Sequence, residues 1–471
     1  MDNTMNTPIS PLDVLRGEVA GAVLAPGEAG FEEEAAGFNL AVRHRPALIV
    51  AAARAEDVAA AVRYARAHGL PVAVQATGHG AVQAADGALL VSTRAMRDVG
   101  VDPTGRTATV AAGCVWSDVI AAAAPYGLAP LCGAATGVGV VGFTLGGGIG
   151  PISRTFGFAA DHVRRITVVT GDGVTRTVDA ATEPDLFWAL RGGKGGFGVV
   201  TSITVDLLPL TQLYAGGLYY AAEDAAPVLH AYREWAATLP ESVTTSVAML
   251  RLPPLPELPP QLRGRFTVHL RFAHVGAAQE GEALLAPMRA VAEPVLDAVG
   301  TIPYAAVDSI HRDPVDPLPV TAEHGMLLRD LTAETVDALL AAAGPQAQVP
   351  LAMVELRQLG GALAREPKEP NAVGGRDGAF SLLVLGAPVP ELMETAVPAA
   401  VRAVADAAAP WWTGGALLNF QGGALAPQRI ARVWQEETLV RLSRLRDVYD
   451  PADLFRFGHV VPRLPQVTRS H

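Results

Sequence analysis

The stretch "VAVQATGHGAVQ", residues 72–83, places His79 between two glycines directly after a run that is typical of a buried strand. A neutral imidazole is a competent nucleophile near pH 7, and flanking glycines allow a ligand to approach closely. The same pattern also fits an ordinary polar contact or a surface imidazole. The surrounding sequence has to decide between these interpretations.

The densest glycine segment is "GAATGVGVVGFTLGGGIGPISRTFGFAADHV", residues 133–163, with nine glycines in its first 25 positions. Both 137–142 and 193–198 match G-x-G-x-x-G, but neither has the strand-then-helix context of a dinucleotide fingerprint. The triplet 146–148 would cost about 1 kcal/mol per residue in a helix. We therefore expect an extended glycine-lined wall whose N–H groups face a pyrophosphate and whose backbone supports a flat ring. A flexible loop is the alternative, although the interleaved valines, Phe143 and Leu145 favour burial.

The elements that must position His79 form a βαβ unit. "ALIVAA" predicts a strand, "AEDVAAAVRYARAHG" a helix ending at Gly69, and "PVAVQ" a second strand that leads into the histidine turn. Further β-branched runs up to residue 210 predict more strands, two of them as a hairpin within 164–178. The first 210 residues are expected to form one α+β domain.

Longer helices alternate with strands beyond Pro209. Helices are predicted at 226–240 and 277–300, and strands at 265–273 and 351–360. The proline-rich stretch 252–262 is interpreted as a surface excursion in preference to a peptide ligand. A second α+β domain follows from this pattern.

Composition excludes several classes of protein. The net charge of −11 and the lack of a basic cluster disfavour nucleic-acid binding, and no apolar run reaches the about 18 residues that a membrane span needs. Two cysteines, Cys114 and Cys132, supply neither a disulfide framework nor a thiolate zinc site, and no metal site is predicted. No secretory signal pattern precedes Pro46, so a cytoplasmic location is the expectation. The oligomeric state stays open.

Four motifs occur in a characteristic order: "TGHG" (77–80), "VGVVGFTLGGGIGPISRTFGFAADHV" (138–163), "RGGKGGFGVVTSITVDLLP" (191–209) and "YDPADLFRF" (449–457). The chain resembles in these motifs the FAD-linked oxidases with a PCMH-type flavin domain, the family of berberine bridge enzyme and 6-hydroxynicotine oxidase. The resemblance implies an α+β fold in which a two-part FAD-binding domain flanks a central substrate domain, an antiparallel sheet with helices. The expected ranges are 40–210 for the FAD domain, 211–405 for the substrate domain and 406–471 for the segment that completes the FAD domain.

The resemblance also implies a cofactor and its attachment. His79 matches the family histidine that bonds covalently to the 8α-methyl carbon of FAD. Some members carry a second link through a cysteine, but that register places Ala135 here, so a link through Cys132 is not expected. The full set of expected cofactor-binding residues is His79, Thr77, Gly78, Gly80, Gly133, Val138, Gly139, Gly142, Gly146, Gly147, Gly148, Gly198, Val200 and Asn419.

The implied reaction is removal of a hydride from a C–H next to oxygen or nitrogen, with O2 as the electron acceptor and H2O2 as a product. Family members often carry Tyr-x-Asn before the C-terminal segment, and here Asn419 matches while Leu417 replaces the tyrosine. Another group is therefore expected to remove the proton. Asn419 is one catalytic candidate, and the candidates for the base are Glu355 and Arg357 of "MVELRQLGG" and His324. A structural role is the alternative for each of the last three.

The substrate is expected to be a small molecule resembling a secondary metabolite, because the central domain contains apolar stretches. Sugar or oligosaccharide oxidation remains an alternative. So do a flavoprotein with a non-oxidase role, such as a cyclisation or dehydration scaffold, and a flavin-storing protein without turnover.

Overall fold

The computed structural model describes residues 10–320, 322–422 and 427–464. Strands and α-helices alternate along this part of the chain, with short 3-10 turns between them. The strands are β1 (Ala22–Leu24), β2 (Leu48–Ala51), β3 (Val72–Gln75), β4 (Leu89–Ser92), β5 (Val99–Asp102), β6 (Thr107–Ala111), β7 (Ala129–Pro130), β8 (Val163–Val169), β9 (Thr175–Val178), β10 (Val199–Leu208), β11 (Gln212–Tyr220), β12 (Val243–Arg251), β13 (Phe266–His274), β14 (Leu296–Asp297), β15 (Gly300–Pro303), β16 (Glu323–Leu328), β17 (Leu351–Gln358) and β18 (Phe380–Gly386). The helices are α1 (Pro11–Glu18), α2 (Phe31–Ala35), α3 (Ala55–His68), α4 (Trp116–Ala123), α5 (Val140–Leu145), α6 (Ser153–Phe156), α7 (Pro184–Leu190), α8 (Ala225–Ala236), α9 (Ala278–Arg289), α10 (Ala333–Ala343), α11 (Ala396–Ala408), α12 (Pro427–Ala431) and α13 (Glu436–Tyr449).

The described residues form three sheets. A four-stranded sheet has the order β1-β2-β4-β3, in which β4 pairs in parallel with both β2 and β3. A six-stranded antiparallel sheet has the order β5-β6-β10-β8-β9, with β7 added to β10. The largest sheet has eight strands in the order β14-β11-β13-β12-β17-β18-β16, with β15 added to β11. This architecture confirms the predicted α+β class and the antiparallel sheet with helices.

The predicted βαβ unit is present as β2, α3 and β3. Helix α3 buries Val58, Val62 and Ala65 at three- and four-residue spacing and ends at Gly69, whose φ of +67° suits glycine. Strand β4 inserts between β2 and β3, so that the carboxyl ends of β3 and β4 lie side by side. The turn that carries His79 therefore starts at the edge where parallel sheets usually bind ligands.

Successive residues of the eight-stranded sheet face two different environments. Val354 and Leu356 of β17 pack into the core that the sheet shares with helices α8, α10 and α11. Glu355 and Arg357 point to the opposite face, since side chains alternate along a strand. Ser246 of β12 pairs directly with both Arg357 and Arg271 of β13, so a row of polar side chains crosses three adjacent strands.

Helix α9 ends earlier than predicted. The helix predicted over 277–300 stops at Arg289, two residues beyond Pro287, and Leu296–Asp297 instead pairs with β11. Proline removes a backbone donor, and edge pairing with β11 satisfies the chain beyond it. Among the described helices, none combines the length and the apolar character that a membrane crossing requires.

The C-terminal segment packs on the N-terminal half of the chain. Leu454 and Phe455 belong to the core of the four-stranded sheet, and Leu442 and Val461 to the core of the six-stranded sheet. These contacts support the proposal that residues 406–471 complete a domain begun near the N-terminus. Strand β1 pairs with β2, so we propose that this domain starts before residue 22 and not at residue 40.

Candidate active site

A single elongated cleft of about 440 Å3 connects the sequence motifs. Its walls come from the turn after β3, the glycine segment around α5, the loop before β10, residues 417–420 and residues 455–459. Asp313, Arg357 and Val373 complete one end. A volume of this size is typical of small-molecule sites.

The turn after β3 holds His79 in a defined position. Gly78 has a φ of +77°, and a Cβ there would lie 2.5 Å from the Cα of Gly37, so the turn requires glycine. The imidazole stacks on Phe38 with ring centroids 3.8 Å apart, and its Nδ1 lies 2.8 Å from the hydroxyl of Thr77. Burial lowers the pKa of His79 to about 4. The ring is therefore neutral at physiological pH, as a nucleophile must be.

The glycine wall differs from the extended segment that was predicted. Residues 140–145 form the short helix α5, which begins directly after Gly139 and includes Gly142. The helix survives its central glycine because Val140, Val141 and Leu145 are buried. The wall is thus a helical turn flanked by glycines, and Gly142 of α5 lines the cleft together with Val141, Phe143 and Leu145.

Of the expected cofactor-binding residues, all but Gly147 line the cleft. Gly147 has a φ of +99° and packs against Val373, so its backbone conformation explains the glycine. Gly146 has a different role. A Cβ at that position would overlap the carboxamide oxygen of Asn419, so glycine lets Asn419 approach the wall.

The cleft fits FAD in its lining and in its polar groups. Gly139 and Gly142 both line the cleft, and the exposed Gly142 leaves backbone accessible, as close approach of a pyrophosphate or a flat ring requires. At the far side, His459 donates from Nε2 to the carbonyl oxygen of Gln421. Its buried Nδ1 has no hydrogen-bond partner among the described residues. Burial, with a contribution from Lys194, lowers the pKa of His459 to about 3, so Nδ1 carries a lone pair that can accept a ligand N–H.

Lys194 and Asn419 form a polar pair on the same lining. Nζ of Lys194 donates to Oδ1 of Asn419 at 2.9 Å, and Nδ2 of Asn419 donates to the carbonyl oxygen of Phe143 at 2.8 Å. Lys194 also lies beside the histidine turn, 3.7 Å from the position of a Cβ on Gly80. Burial lowers the pKa of Lys194 to about 8, against the attraction of Glu323.

The catalytic candidates differ in whether they line the cleft. Arg357 lines the cleft, whereas Glu355 lies behind it, fully buried, and bonds to Arg357, Arg271 and Ser246. Burial alone would raise the pKa of Glu355, but Arg357 and Arg271 lower it to about 2. His324 is outside the lining and pairs with Arg429 at 2.8 Å. These surroundings favour positioning roles for Glu355 and His324.

Cys132 is turned away from the cleft. Its thiol is fully buried 3.3 Å from the hydroxyl of Tyr304, and burial raises its pKa to about 12. Ala135, the position to which the register assigns the family thiol, lies on the cleft lining. Both observations support a single attachment point.

Sequence reasoning missed Lys194, Asp313 and His459, which all line the cleft. A signal existed for Lys194, because it interrupts a run of glycines and is one of only two lysines in the chain. Its φ of +57° is unusual for a residue with a Cβ and costs about 1 kcal/mol. Asp313 lies in a proline-rich loop without periodicity, so no pattern singles it out.

Comparison with known proteins agrees with this geometry. Residues 46–179 match the profile of a family described as an FAD binding domain. The chain is 27% identical to (R)-6-hydroxynicotine oxidase from Paenarthrobacter nicotinovorans, over 98% of both chains. The crystal structure of 6-hydroxy-D-nicotine oxidase from Arthrobacter nicotinovorans superposes with a TM-score of 0.82 at 24% identity, covering 97% of this chain and 99% of that one. The BBE-like 1 protein of Physcomitrella patens also gives a TM-score of 0.82, at 18% identity over 96% and 99% of the two chains.

The matches span both the N-terminal motifs and the central sheet, and they confirm the resemblance inferred from the four motifs. The chain contains an FAD-binding domain, is homologous to 6-hydroxynicotine oxidase and has the fold of berberine bridge enzyme-like proteins, and it is an FAD-dependent oxidoreductase.

Proposed function

We propose that the protein is an oxidase with covalently bound FAD that oxidises a C–H group next to oxygen or nitrogen in a small organic substrate. The observation that carries this proposal is the single cleft whose lining includes His79, the glycine wall, Asp313 and Arg357. When bound, the flavin accepts a hydride from the substrate and passes two electrons to O2, giving H2O2. The name of the nicotine oxidase relative supports the same reaction class.

His79 supplies the attachment point in this proposal. Its neutral ring is held between the Phe38 stack and the Thr77 hydroxyl. The bond would join an imidazole nitrogen of His79 to the 8α carbon of FAD with loss of one hydrogen from each, and O2 would take up these two protons and two electrons as H2O2.

Asp313 is our candidate for the proton acceptor, in the absence of a tyrosine at Leu417. Its carboxylate lines the cleft, and burial raises its pKa against the opposing charges of Arg271 and Arg357. A raised pKa makes Asp313 a stronger base than an exposed aspartate. In this assignment, Asp313 takes the proton from the substrate O–H or N–H as the neighbouring C–H is oxidised.

Lys194 supplies positive charge to the cleft. Its ammonium group is oriented by Oδ1 of Asn419, which is itself fixed by the carbonyl of Phe143. A fixed cation beside the cofactor site stabilises negative charge that develops there during reduction. We therefore assign to Asn419 a positioning role that acts through Lys194.

The charge of Lys194 is expected to be lost within the physiological range of pH. Because its pKa is about 8, the ammonium form predominates below pH 8 and the neutral amine above it. Methylation of the lysines with 13C-formaldehyde gives NMR signals for Lys194 and for the exposed Lys368, and Lys194→Met assigns them. We expect the Lys194 signal to titrate near pH 8. A Lys194 signal that shows no titration around pH 8 would contradict the assignment.

The reaction is tested by following the flavin directly. Addition of a substrate without O2 should bleach the absorption near ~450 nm that is typical of the cofactor, and O2 should restore it with one H2O2 per flavin. Asp313→Asn should retain the flavin but bleach about 100-fold or more slowly. Bleaching without peroxide release would indicate the non-oxidase alternative, and equal rates in Asp313→Asn would remove the proposed base.

A further inference from the structure

Arg357 lines the cleft, and part of its guanidinium group has no hydrogen-bond partner among the described residues. Its Nε donates to Oε2 of Glu355 at 2.8 Å, and its Cζ lies 5.1 Å from the centre of the Phe420 ring. Both contacts hold the guanidinium plane in place, and its side chain is 13% exposed. The four Nη hydrogens make no hydrogen bond to any residue within 10–320, 322–422 and 427–464.

Glu355 pairs with a second arginine as well as with Arg357. Its other oxygen, Oε1, pairs with Arg271 and accepts from Ser246 at 2.9 Å. One buried carboxylate is thus shared between two arginines. Burial and the neighbouring arginines keep the pKa of His311 well below its usual range, so this histidine adds neither charge nor a competing anion.

Asp313 is the second carboxylate near Arg357, but it forms no ion pair with it among the described residues. Two arginines therefore face two carboxylates, one of which lies on the cleft and has a raised pKa. An anion at the Nη side of Arg357 would complete the hydrogen bonding of a largely buried guanidinium group. Its negative charge would also make Asp313 a stronger base.

An apolar cluster that contains Phe420, the ring next to Arg357, also lines the cleft. Its other members on the lining are Ile149, Phe158, Val373 and Leu417. Such a surface favours a flat or hydrophobic body over a polyhydroxylated one, since a sugar would leave hydroxyl groups without partners. A guanidinium group next to an apolar surface is an arrangement that recognises a planar anion.

We propose that the Nη side of Arg357 binds a carboxylate group of the substrate, carried on an aromatic or similarly flat apolar body. This inference rests on the proposed function and narrows its substrate class. A guanidinium fork matches the two oxygens of a carboxylate, which a lysine ammonium does not. Glu355 is a positioning residue in this proposal, because it orients Arg357 through Nε.

The test uses three compounds of one shape and different charge: benzoate, benzyl alcohol and benzylamine. Each is titrated into the flavin-loaded protein, and binding is read from the change in the flavin spectrum. We expect the wild type to bind benzoate at least tenfold more tightly than the other two. Arg357→Met should lose that preference, and Arg357→Lys should keep only part of it, because lysine preserves the charge without the fork.

Arg365→Met is the matched control. Arg365 is an exposed arginine that pairs with Glu241 at 2.6 Å and lies outside the cleft lining, so its removal should leave benzoate binding unchanged. Arg357→Lys keeps a cation beside Glu355 and guards against a folding failure of the methionine variant. Benzoate binding of wild-type strength in Arg357→Lys and Arg357→Met would overturn the proposal. So would a wild type without a benzoate preference, or one that prefers benzylamine and thereby points to Asp313 as a cation site.

Failure of this inference is distinguishable from failure of the proposed function. The flavin content and its retention after denaturation are measured first on the same samples. If the flavin is present and turns over but benzoate shows no preference, only the carboxylate subsite is wrong. If the flavin is missing, binding to the same protein is followed calorimetrically, so the subsite is still tested.

Discussion

His79→Ala is expected to release its FAD into the supernatant on acid precipitation, whereas the wild-type precipitate stays yellow. The physical reason is that His79, the proposed nucleophile, combines a neutral ring, a fixed orientation and flanking glycines on the cleft lining. The measurement is the absorption of pellet and supernatant. The intact mass of denatured protein supplies a second readout, since wild type should carry the mass of one FAD less two hydrogens.

Cys132→Ala is the control for this prediction. Its thiol faces Tyr304 and not the cleft, so retention and spectrum of the flavin should match those of wild type. His79→Ala should still fold, because the substitution removes one ring from a half-buried turn and leaves Gly78 in place. Colour that washes out of the wild type would show that His79 only contacts the cofactor. Loss of attachment in Cys132→Ala would reveal a second link.

The position of His79 was predictable because every step to it is local. A clear periodicity marks each of the three elements before the turn: strand β2, helix α3 with its terminal Gly69, and strand β3. Together they place the turn at the carboxyl edge of a parallel sheet. The insertion of β4 between the two strands was not predictable from those elements. It depends on pairing between segments that are distant in sequence.

Helix α5 shows where local rules fail. The glycine content of residues 139–148 argues against a helix, yet residues 140–145 are helical because buried apolar side chains stabilise them. Intrinsic propensity is a weak preference of about 1 kcal/mol per residue, and tertiary packing exceeds it here.

The residues that sequence reasoning missed depend on long-range contacts. Lys194 meets Asn419 across 225 positions in sequence, and Asp313 reaches the cleft from a loop that has no regular pattern. Glu355 and Arg357 were found as a pair, but the sequence could not tell which of the two faces the cleft. Strand alternation places both side chains on the same face of the sheet. In the structure Glu355 also pairs with Arg271 and is fully buried, a contact that the local sequence does not show.

Gly142→Leu is expected to abolish FAD binding without unfolding the protein. Gly142 lies on the exposed face of α5, lines the cleft, and a Cβ there would meet no atom within 4 Å. The side chain therefore has room in the protein alone and would project into the space assigned to the cofactor. Leucine also favours a helix over glycine by up to about 1 kcal/mol, so the free energy of unfolding should not fall.

Gly137→Leu is the matched control, because Gly137 is exposed, has the same open space at its Cβ position, and lies outside the cleft lining. Both substitutions are made in the His79→Ala background, where FAD can be removed and added again. Fluorescence titration should then show FAD binding about 100-fold or more weaker for Gly142→Leu, which corresponds to about 2.7 kcal/mol of overlap, and unchanged for Gly137→Leu. Thermal unfolding without FAD should be the same for both. Equal FAD affinity in the two variants would mean that the cofactor does not pass over α5, and the glycine at position 142 would then need another explanation.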